Sequence, residues 1–227
     1  MSAATAGTAT RGAERALVRR RLLDVRVMTA ATAYVFAIYG YVQPSGYRSI
    51  YKTTAERAAF AHSFGTSKGL RLLYGLPYDV ATVDGYAAWR VGGVLAIFAA
   101  VYAVLAGVRL TRTEEESGRL ELVLAAPVGR SNVGWATLAA IGAGTVVVWV
   151  AELAGLAVGG LGLGGAAYLA LATASVIPVC AALGVLASQI APNRTLALQL
   201  GGGSVAVLFL LRVLADVVGL TWLRWLT

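Results

Sequence analysis

We predict an all-α, polytopic helical membrane protein with about five transmembrane helices, an N-terminal amphipathic interfacial helix and a long external loop. Of its 227 residues, 58% are hydrophobic and only 13% are charged, whereas a soluble domain is about 45 to 50% apolar. The mean hydropathy of +0.72 agrees with this prediction. Five apolar segments approach or exceed the roughly 20 residues that a membrane crossing needs. They lie near residues 27–43, 91–108, 133–158, 166–190 and 196–214.

Residues 1–26 form a basic segment ahead of the first span. Val18, Leu22 and Val25 recur at the spacing of one helix face, which predicts an amphipathic helix lying on the membrane surface. The alternative, a cleaved signal peptide, is disfavoured because the charged lead is long and no small-residue cleavage site follows the apolar stretch. We therefore expect an uncleaved anchor, ended by Pro44 to Gly46.

The loop at 44–90 is long enough to contain structure of its own. Thr53 and Glu56 have the spacing of a capping box, which predicts a short helix starting there. The single histidine, His62, lies on this helix, and we expect it to be an ordinary polar residue.

Basic residues set the expected orientation. Six arginines precede the first span, four lie in the connection 109–132, and Arg194 lies in the turn between the fourth and fifth spans. Short basic loops stay inside the cell, so the N-terminus and the connection 109–132 are expected in the cytoplasm and the loop 44–90 outside. With these spans, the net charge of +8 favours anionic lipid over nucleic acid as the counter-charge.

Several motifs for chemistry can be excluded. The run GLGLGG at 160–165 has dinucleotide-binding spacing, but it joins two membrane spans rather than a strand and a helix, so we expect a tight turn. Neither Lys52 nor Lys68 stands in a phosphate-binding loop. Cys180 and His62 are single residues of their kind, which leaves no disulfide framework or transition-metal site. The chain by itself is predicted to be neither an enzyme nor the holder of a cofactor.

The connection 109–132 differs from the rest of the chain. Thr113 to Glu116 is a second capping-box pattern, Gly118 interrupts, and Pro127 and Gly129 end the element. The apolar residues Leu120, Val123 and Leu124 share one face. Three successive glutamates disfavour contact with an anionic leaflet, so we expect this segment to dock a protein.

The sequence EEESGRLELVLAAPVGR in this connection resembles the cytoplasmic loop of ABC type 2 transporter permeases, in particular the amino-terminal half of actinobacterial polyketide-antibiotic exporter permeases. Three further stretches are similar to that family: LLYGLPYDVATVDGYAAWRVGG at 72–93, SQIAPNRTLA at 188–197, and RVLAD with the later WLRWL near the end. The resemblance covers nearly the whole chain.

The resemblance implies a plasma-membrane permease subunit of an ATP-driven exporter for a hydrophobic or amphipathic small molecule, such as a polyketide antibiotic or drug. A cytosolic ATP-binding subunit would bind ATP and Mg²⁺, and a second permease half or a second copy would complete the assembly. Each half of such permeases has six spans, so we expect a split or truncated half here. The coupling residues implied are Glu114, Glu115, Glu116, Gly118, Arg119, Glu121, Leu124 and Arg130.

Two other functions stay open. The chain could be a membrane scaffold, an incomplete permease half that assembles with other segments without forming a path. A channel or secondary transporter is a third possibility, but Glu152 alone lies well inside a span, whereas such proteins usually carry several ionisable residues there. We expect Glu152 to pair with Arg212 or to face a wet cavity, with Asp216 as the competing partner of Arg212.

Overall fold

The computed structural model describes residues 3–65, 69–70, 74–125 and 129–218. Within these ranges the regular structure is entirely helical, and five helices are long and apolar enough to cross a membrane. The predicted all-α, multi-pass architecture is confirmed. The helices are α1 (Ala3–Ile50), α2 (Thr54–Gly65), α3 (Val83–Ala87), α4 (Gly93–Leu110), α5 (Arg112–Glu116), α6 (Arg119–Leu124), α7 (Arg130–Val158), α8 (Leu163–Ala174), α9 (Val176–Ile190) and α10 (Arg194–Val218).

The first span differs from its prediction. Helix α1 runs without a break from Ala3 to Ile50, so residues 3–26 do not form a helix separate from the first span, and the helix does not end at Pro44. Of the predicted apolar face, Val25 is buried within the protein and Leu22 is exposed. The buried stripe recurs every three or four residues and includes Leu17, Arg21, Val25, Thr29, Ala33, Phe36 and Tyr47.

Helix α1 continues through Pro44 because α7 packs closely against it there. Pro44 is fully buried, and a Cβ on Gly159, the residue that follows α7, would lie 2.7 Å from the Pro44 ring and 3.0 Å from the carbonyl oxygen of Gly40. That carbonyl lost its usual donor because proline has no N–H. Glycine at position 159 lets α7 approach it, and Ser45 donates a hydrogen bond to the Tyr41 carbonyl at 2.6 Å. Packing and local hydrogen bonds therefore keep the helix intact.

The second span is the centre of the bundle. It consists of α3, a π-helical turn at Ala88–Gly92, and α4, and thus begins before the predicted residue 91. The Thr82 hydroxyl caps α3 by accepting from the Gly85 amide at 3.0 Å. Helix α4 contacts the first, fourth and fifth spans, and residues such as Leu95, Ala99 and Ala103 are completely buried.

Small residues allow the spans to approach each other closely. At Gly155 of α7, the Ala37 carbonyl of α1 occupies the space that a Cβ would need. At Gly107 of α4, a Cβ would lie 2.6 Å from the Ala181 carbonyl of α9. Gly155 and Gly159, four residues apart, therefore form a packing motif in which only glycine fits without rearrangement.

The fourth span, Leu163–Ile190, covers the predicted range 166–190 and is divided by one turn residue whose backbone stays in the right-handed helical region, with φ −63° and ψ −19°. Helix α8 ends at Ala174 and α9 begins at Val176, with a turn at Ser175 between them. The first half of the GLGLGG run, residues 160–162, lies in the predicted turn, and its second half, residues 163–165, begins α8. Gly160 has a φ of +102°, which favours glycine.

The capping box at Thr53 is confirmed. The Thr53 amide donates to Glu56 Oε2 at 3.0 Å, and the Glu56 amide donates to Thr53 Oγ1 at 3.2 Å. Helix α2 then packs through Phe60 on Tyr47 and Tyr86, with ring centroids 5.5 and 5.8 Å away. Lys68, Pro127 and the WLRWL segment lie outside the described residues.

Candidate functional site

The connection between the second and third spans folds into two short helices, which we call the elbow and define as residues 111–125. Helix α5 ends at Glu116 and α6 begins at Arg119, and Gly118 between them has a φ of +67°. This left-handed conformation is one that glycine adopts without a Cβ penalty. The predicted interruption at Gly118 is thus confirmed, and it lets the chain change direction between the two helices.

Glu114 faces the protein interior and joins the elbow to the first span. Its Oε2 lies 3.2 Å from Nη1 of Arg21, which is only 1% exposed, and 3.5 Å from Nη2 of the half-exposed Arg20. Arg21 Nη1 also donates to the Leu110 carbonyl at 3.0 Å, at the end of α4. One buried guanidinium therefore holds the elbow and the end of α4 against α1.

Arg112 joins the elbow to the turn between the fourth and fifth spans. Its Nη1 lies 2.8 Å from Glu115 Oε2, and its Nη2 donates to the carbonyl of Pro192 in that turn. Glu115 thus orients the guanidinium that holds the turn.

Glu116 binds the start of the fifth span. Its carboxylate accepts a hydrogen bond from the backbone amide of Arg194, the first residue of α10. A carboxylate at a helix N-terminus satisfies an amide that has no partner within the helix and interacts favourably with the helix dipole. The elbow consequently holds the first span through Glu114 and the fifth span through Glu116.

The capping box predicted at Thr113 to Glu116 is wrong. Helix α5 starts at Arg112, so Thr111 rather than Thr113 stands at the N-cap position, and the helix has no side-chain cap. The Thr113 hydroxyl donates back to the Val108 carbonyl at 3.4 Å instead. The reason is tertiary competition, because the Glu116 carboxylate that would close the box is bound to Arg194.

Some of the remaining predicted coupling residues are exposed, and others have side chains that the structure does not describe. Arg119 and Glu121 are exposed on α6, and Ser117 beside Gly118 is exposed as well. The side chains of Leu124 and Arg130 lie outside the part of the chain that the structure describes. Residue types alone gave no signal for the partners Arg21, Pro192 and Arg194. A stripe at four-residue spacing through Leu17, Arg21 and Val25 was the one available indication that Arg21 is buried.

The second predicted site, around Glu152, has a different partner from the one expected. Glu152 is completely buried, and its Oε2 accepts from the Thr173 hydroxyl of α8 at 2.5 Å. Its Oε1 has no hydrogen-bond partner among the described residues. The ion pairs of those residues do not join Glu152 to Arg212, so the predicted pairing is not formed. Thr173 of the fourth span binds Glu152 in place of Arg212, because the third and fourth spans are adjacent in the bundle.

Arg212 and Asp216 lie at the edge of a cavity of about 490 Å³ near the end of the bundle opposite the elbow. Thr173 also lines this outer cavity, so Glu152 is separated from it by one hydroxyl. Gly75, with a φ of +80°, covers the rim, where a Cβ would lie 3.3 Å from Asp216 Oδ2 and 3.4 Å from Arg212 Nη2. Arg212 and Asp216 therefore line one cavity, and Glu152 lies behind the Thr173 hydroxyl in the wall of that cavity.

A larger cavity, of about 690 Å³, lies at the elbow. We call it the inner cavity; it is bounded by α1, the end of α4, the elbow, α7 and α9. Arg21 and Glu114 are in its wall, so the ion pair that positions the elbow also forms part of this cavity. The lining residues are Arg21, Leu110, Thr111, Glu114, Glu115, Leu120, Glu121, Val133, Gly134, Thr137, Leu138, Val185 and Gln189.

Comparison with known proteins agrees with this architecture. The chain is 29% identical over 188 residues to the multidrug efflux system permease protein Rv1217c of Mycobacterium tuberculosis, an alignment covering 82% of this chain and 32% of that protein. The chain therefore matches about a third of that relative's length. The family model described as ABC-2 family transporter protein matches residues 4–224. Because this match includes every span and the elbow, the chain belongs to the ABC-2 transporter family.

Proposed function

We propose that this chain is the membrane-spanning permease subunit of an ATP-driven exporter, and that the elbow is where a cytosolic ATP-binding subunit acts on it. One observation carries the proposal: the elbow is bonded through Glu114 to the first span and through Glu116 to the fifth. A force applied to the elbow is thereby applied to both spans. Family membership and the name of the mycobacterial relative support export as the process.

In this proposal the ATP-binding subunit holds ATP and Mg²⁺ and performs hydrolysis, since neither lysine of this chain stands in a phosphate-binding loop. The elbow end of the bundle, with the N-terminus, faces the cytoplasm at the plasma membrane, as the arginine distribution favours. A second permease half or a second copy completes the path. The cargo is a hydrophobic or amphipathic small molecule.

Site-specific photo-crosslinking tests the contact with the ATP-binding subunit. A benzoylphenylalanine placed at Ser117, which is exposed on the elbow, should crosslink a nucleotide-binding subunit in native membranes. The same probe at Ser49, exposed near the other end of α1, is the matched control and should not. Crosslinking of that subunit from position 49 and not from position 117 would reverse the proposed orientation, and crosslinking from neither would refute the contact.

The alternative is a scaffold that assembles with other permease segments without moving a cargo. Both functions predict the crosslink, so a second measurement separates them. Deleting the chain from the producing cell should abolish ATP-dependent efflux of its cargo if the chain forms the path. For a scaffold, efflux should persist when the other permease segments are supplied in excess.

A further inference from the structure

The inner cavity has the size and lining of a small-molecule site. Its volume of about 690 Å³ lies within the roughly 300 to 1,000 Å³ of known ligand pockets. Apolar side chains from four elements form much of the wall: Leu110 of α4, Leu120 of the elbow, Val133 and Leu138 of α7, and Val185 of α9. Leu120 is only partly buried, so it lines the cavity without belonging to the hydrophobic core.

The charges in the wall are not equivalent. Glu114 is neutralised by Arg21 at 3.2 Å, and Glu115 by Arg112 at 2.8 Å. The third carboxylate, Glu121 on α6, takes part in none of the ion pairs found among the described residues. It is exposed and lies in the wall. The cavity therefore combines an apolar interior with one carboxylate that no ion pair among the described residues compensates.

We propose that the inner cavity binds an amphipathic cation, with the apolar body of the ligand against Leu120, Leu138 and Val185 and its positive group beside Glu121. Charge complementarity selects this ligand class, since the carboxylate of Glu121, which no described ion pair offsets, would repel an anion of the same shape. The cavity wall includes the elbow itself. A bound ligand would therefore contact the element on which the ATP-binding subunit is proposed to act, which places cargo binding and coupling at one site.

The inference rests on the proposed export function for its biological meaning, but the binding is measured on this chain alone. Failure of binding is therefore distinguishable from failure of the ATP-binding subunit to associate. The probes are tetraphenylphosphonium and tetraphenylborate, two ions of nearly equal size and apolar surface and of opposite charge. Equilibrium binding is measured to the purified full chain in phosphatidylcholine nanodiscs, with empty nanodiscs as the correction for lipid partitioning.

Tetraphenylphosphonium should bind saturably and at least about tenfold more tightly than tetraphenylborate. Glu121→Gln should weaken binding of the cation about fivefold, as expected for removing one partly exposed charge pair, and should not weaken binding of the anion. Glu56→Gln makes the same change on α2, away from the cavity, and should leave both affinities unchanged. Equal binding of the two ions, no saturable cation binding, or an unaltered Glu121→Gln variant would overturn the proposal.

A matched pair of glycines on α7 tests the location. Gly134 lines the inner cavity and Gly142 does not, and a Cβ at either position would meet nothing within 4 Å. Both should therefore accept a larger side chain without disturbing the fold. Gly134→Leu should fill part of the cavity and weaken cation binding at least tenfold, whereas Gly142→Leu should leave it unchanged. Equal effects of the two substitutions would place the bound ion elsewhere.

Discussion

Removing the carboxylate of Glu114 should destabilise the protein strongly. Glu114→Gln leaves the Arg21 guanidinium, 1% exposed, with the Leu110 carbonyl as its remaining described acceptor. Breaking a buried ion pair by removing one partner costs about 3 to 5 kcal/mol, because the other charge stays buried and uncompensated. The retained bond to Leu110 places the expected loss at the lower end, about 3 kcal/mol.

Two further variants separate this cost from other effects. Arg20 also contacts Glu114, but its side chain is 40% exposed and the distance is 3.5 Å, so Arg20→Met should cost about 0 to 1 kcal/mol. Replacing both charges, with Arg21→Met and Glu114→Leu together, leaves neither member of this pair as a buried, uncompensated charge. The double variant should therefore recover most of the stability lost by Glu114→Gln.

The assay is thermal unfolding of the purified protein, followed by tryptophan fluorescence. For a chain of this size, about 1 kcal/mol shifts Tm by about 2 to 4 °C, so Glu114→Gln should lower Tm by about 6 to 12 °C. Arg20→Met should lower it by no more than about 4 °C. A Glu114→Gln variant that unfolds at the same temperature as Arg20→Met would refute the buried ion pair.

Three further outcomes are expected from the same unfolding assay or from hydrogen exchange. Gly155→Ala should lower the free energy of unfolding by about 1 to 3 kcal/mol, because the added methyl group overpacks against α1. Gly142→Ala on the same helix is the control and should not destabilise the protein. Equal effects of the two substitutions would contradict the close approach of α7 to α1 at Gly155. Thr173→Val leaves both Glu152 oxygens unpartnered and should cost about 1 to 3 kcal/mol, so an unchanged Tm would argue against that bond. Hydrogen bonds from the Thr53 and Lys52 amides lower the pKa of Glu56 in the folded protein. The cap therefore stabilises α2 fully above the pKa of glutamate in the unfolded chain, about 4.3. This stabilisation is lost as pH falls through the lower folded pKa. Protection factors of α2 amides should drop between pH 7 and pH 3, and a Glu56→Gln variant should show no such drop.

Hydropathy predicted the architecture well because membrane crossing constrains composition over long segments. The sequence did not predict that α1 would pass through Pro44, because the prediction used the intrinsic helix-breaking effect of proline. Close packing of Gly159 and the Ser45 hydrogen bond overcome that effect.

The two capping-box patterns show that a local sequence rule fails where a distant residue binds the same side chain. The same spacing forms the box at Thr53 but not at Thr113. Near Thr53 no described tertiary group competes for Glu56, whereas Arg194, far along the chain, takes the carboxylate of Glu116. Contacts between residues this far apart have no local signature, so the sequence indicated the elbow but not the spans that it holds.

The same limit explains the Glu152 prediction. Counting depth along each span placed Glu152 and Arg212 at similar heights, but depth does not say which spans are neighbours. The third span packs on α8, and Thr173 is therefore within reach of Glu152. A charge swap of Glu152 and Arg212 should accordingly fail to restore stability.

The central claim is that the elbow and the fifth span move together when the ATP-binding subunit acts. The most direct test is an electron-paramagnetic-resonance distance between spin labels at Ser117 and Val207, both exposed, in a Cys180→Ser background. Val207 lies about 20 Å along α10 from Arg194, at about 1.5 Å per residue. The distance is measured in the assembled complex without nucleotide and with ATP trapped by vanadate.

The account predicts that the mean distance between these labels changes by less than about 2 Å between the two nucleotide states. In a Glu116→Gln variant, which weakens the bond to Arg194, the distance distribution should broaden. A shift of several ångströms in the unmodified protein, with no broadening in the variant, would mean that the elbow moves independently of the fifth span and would contradict the account.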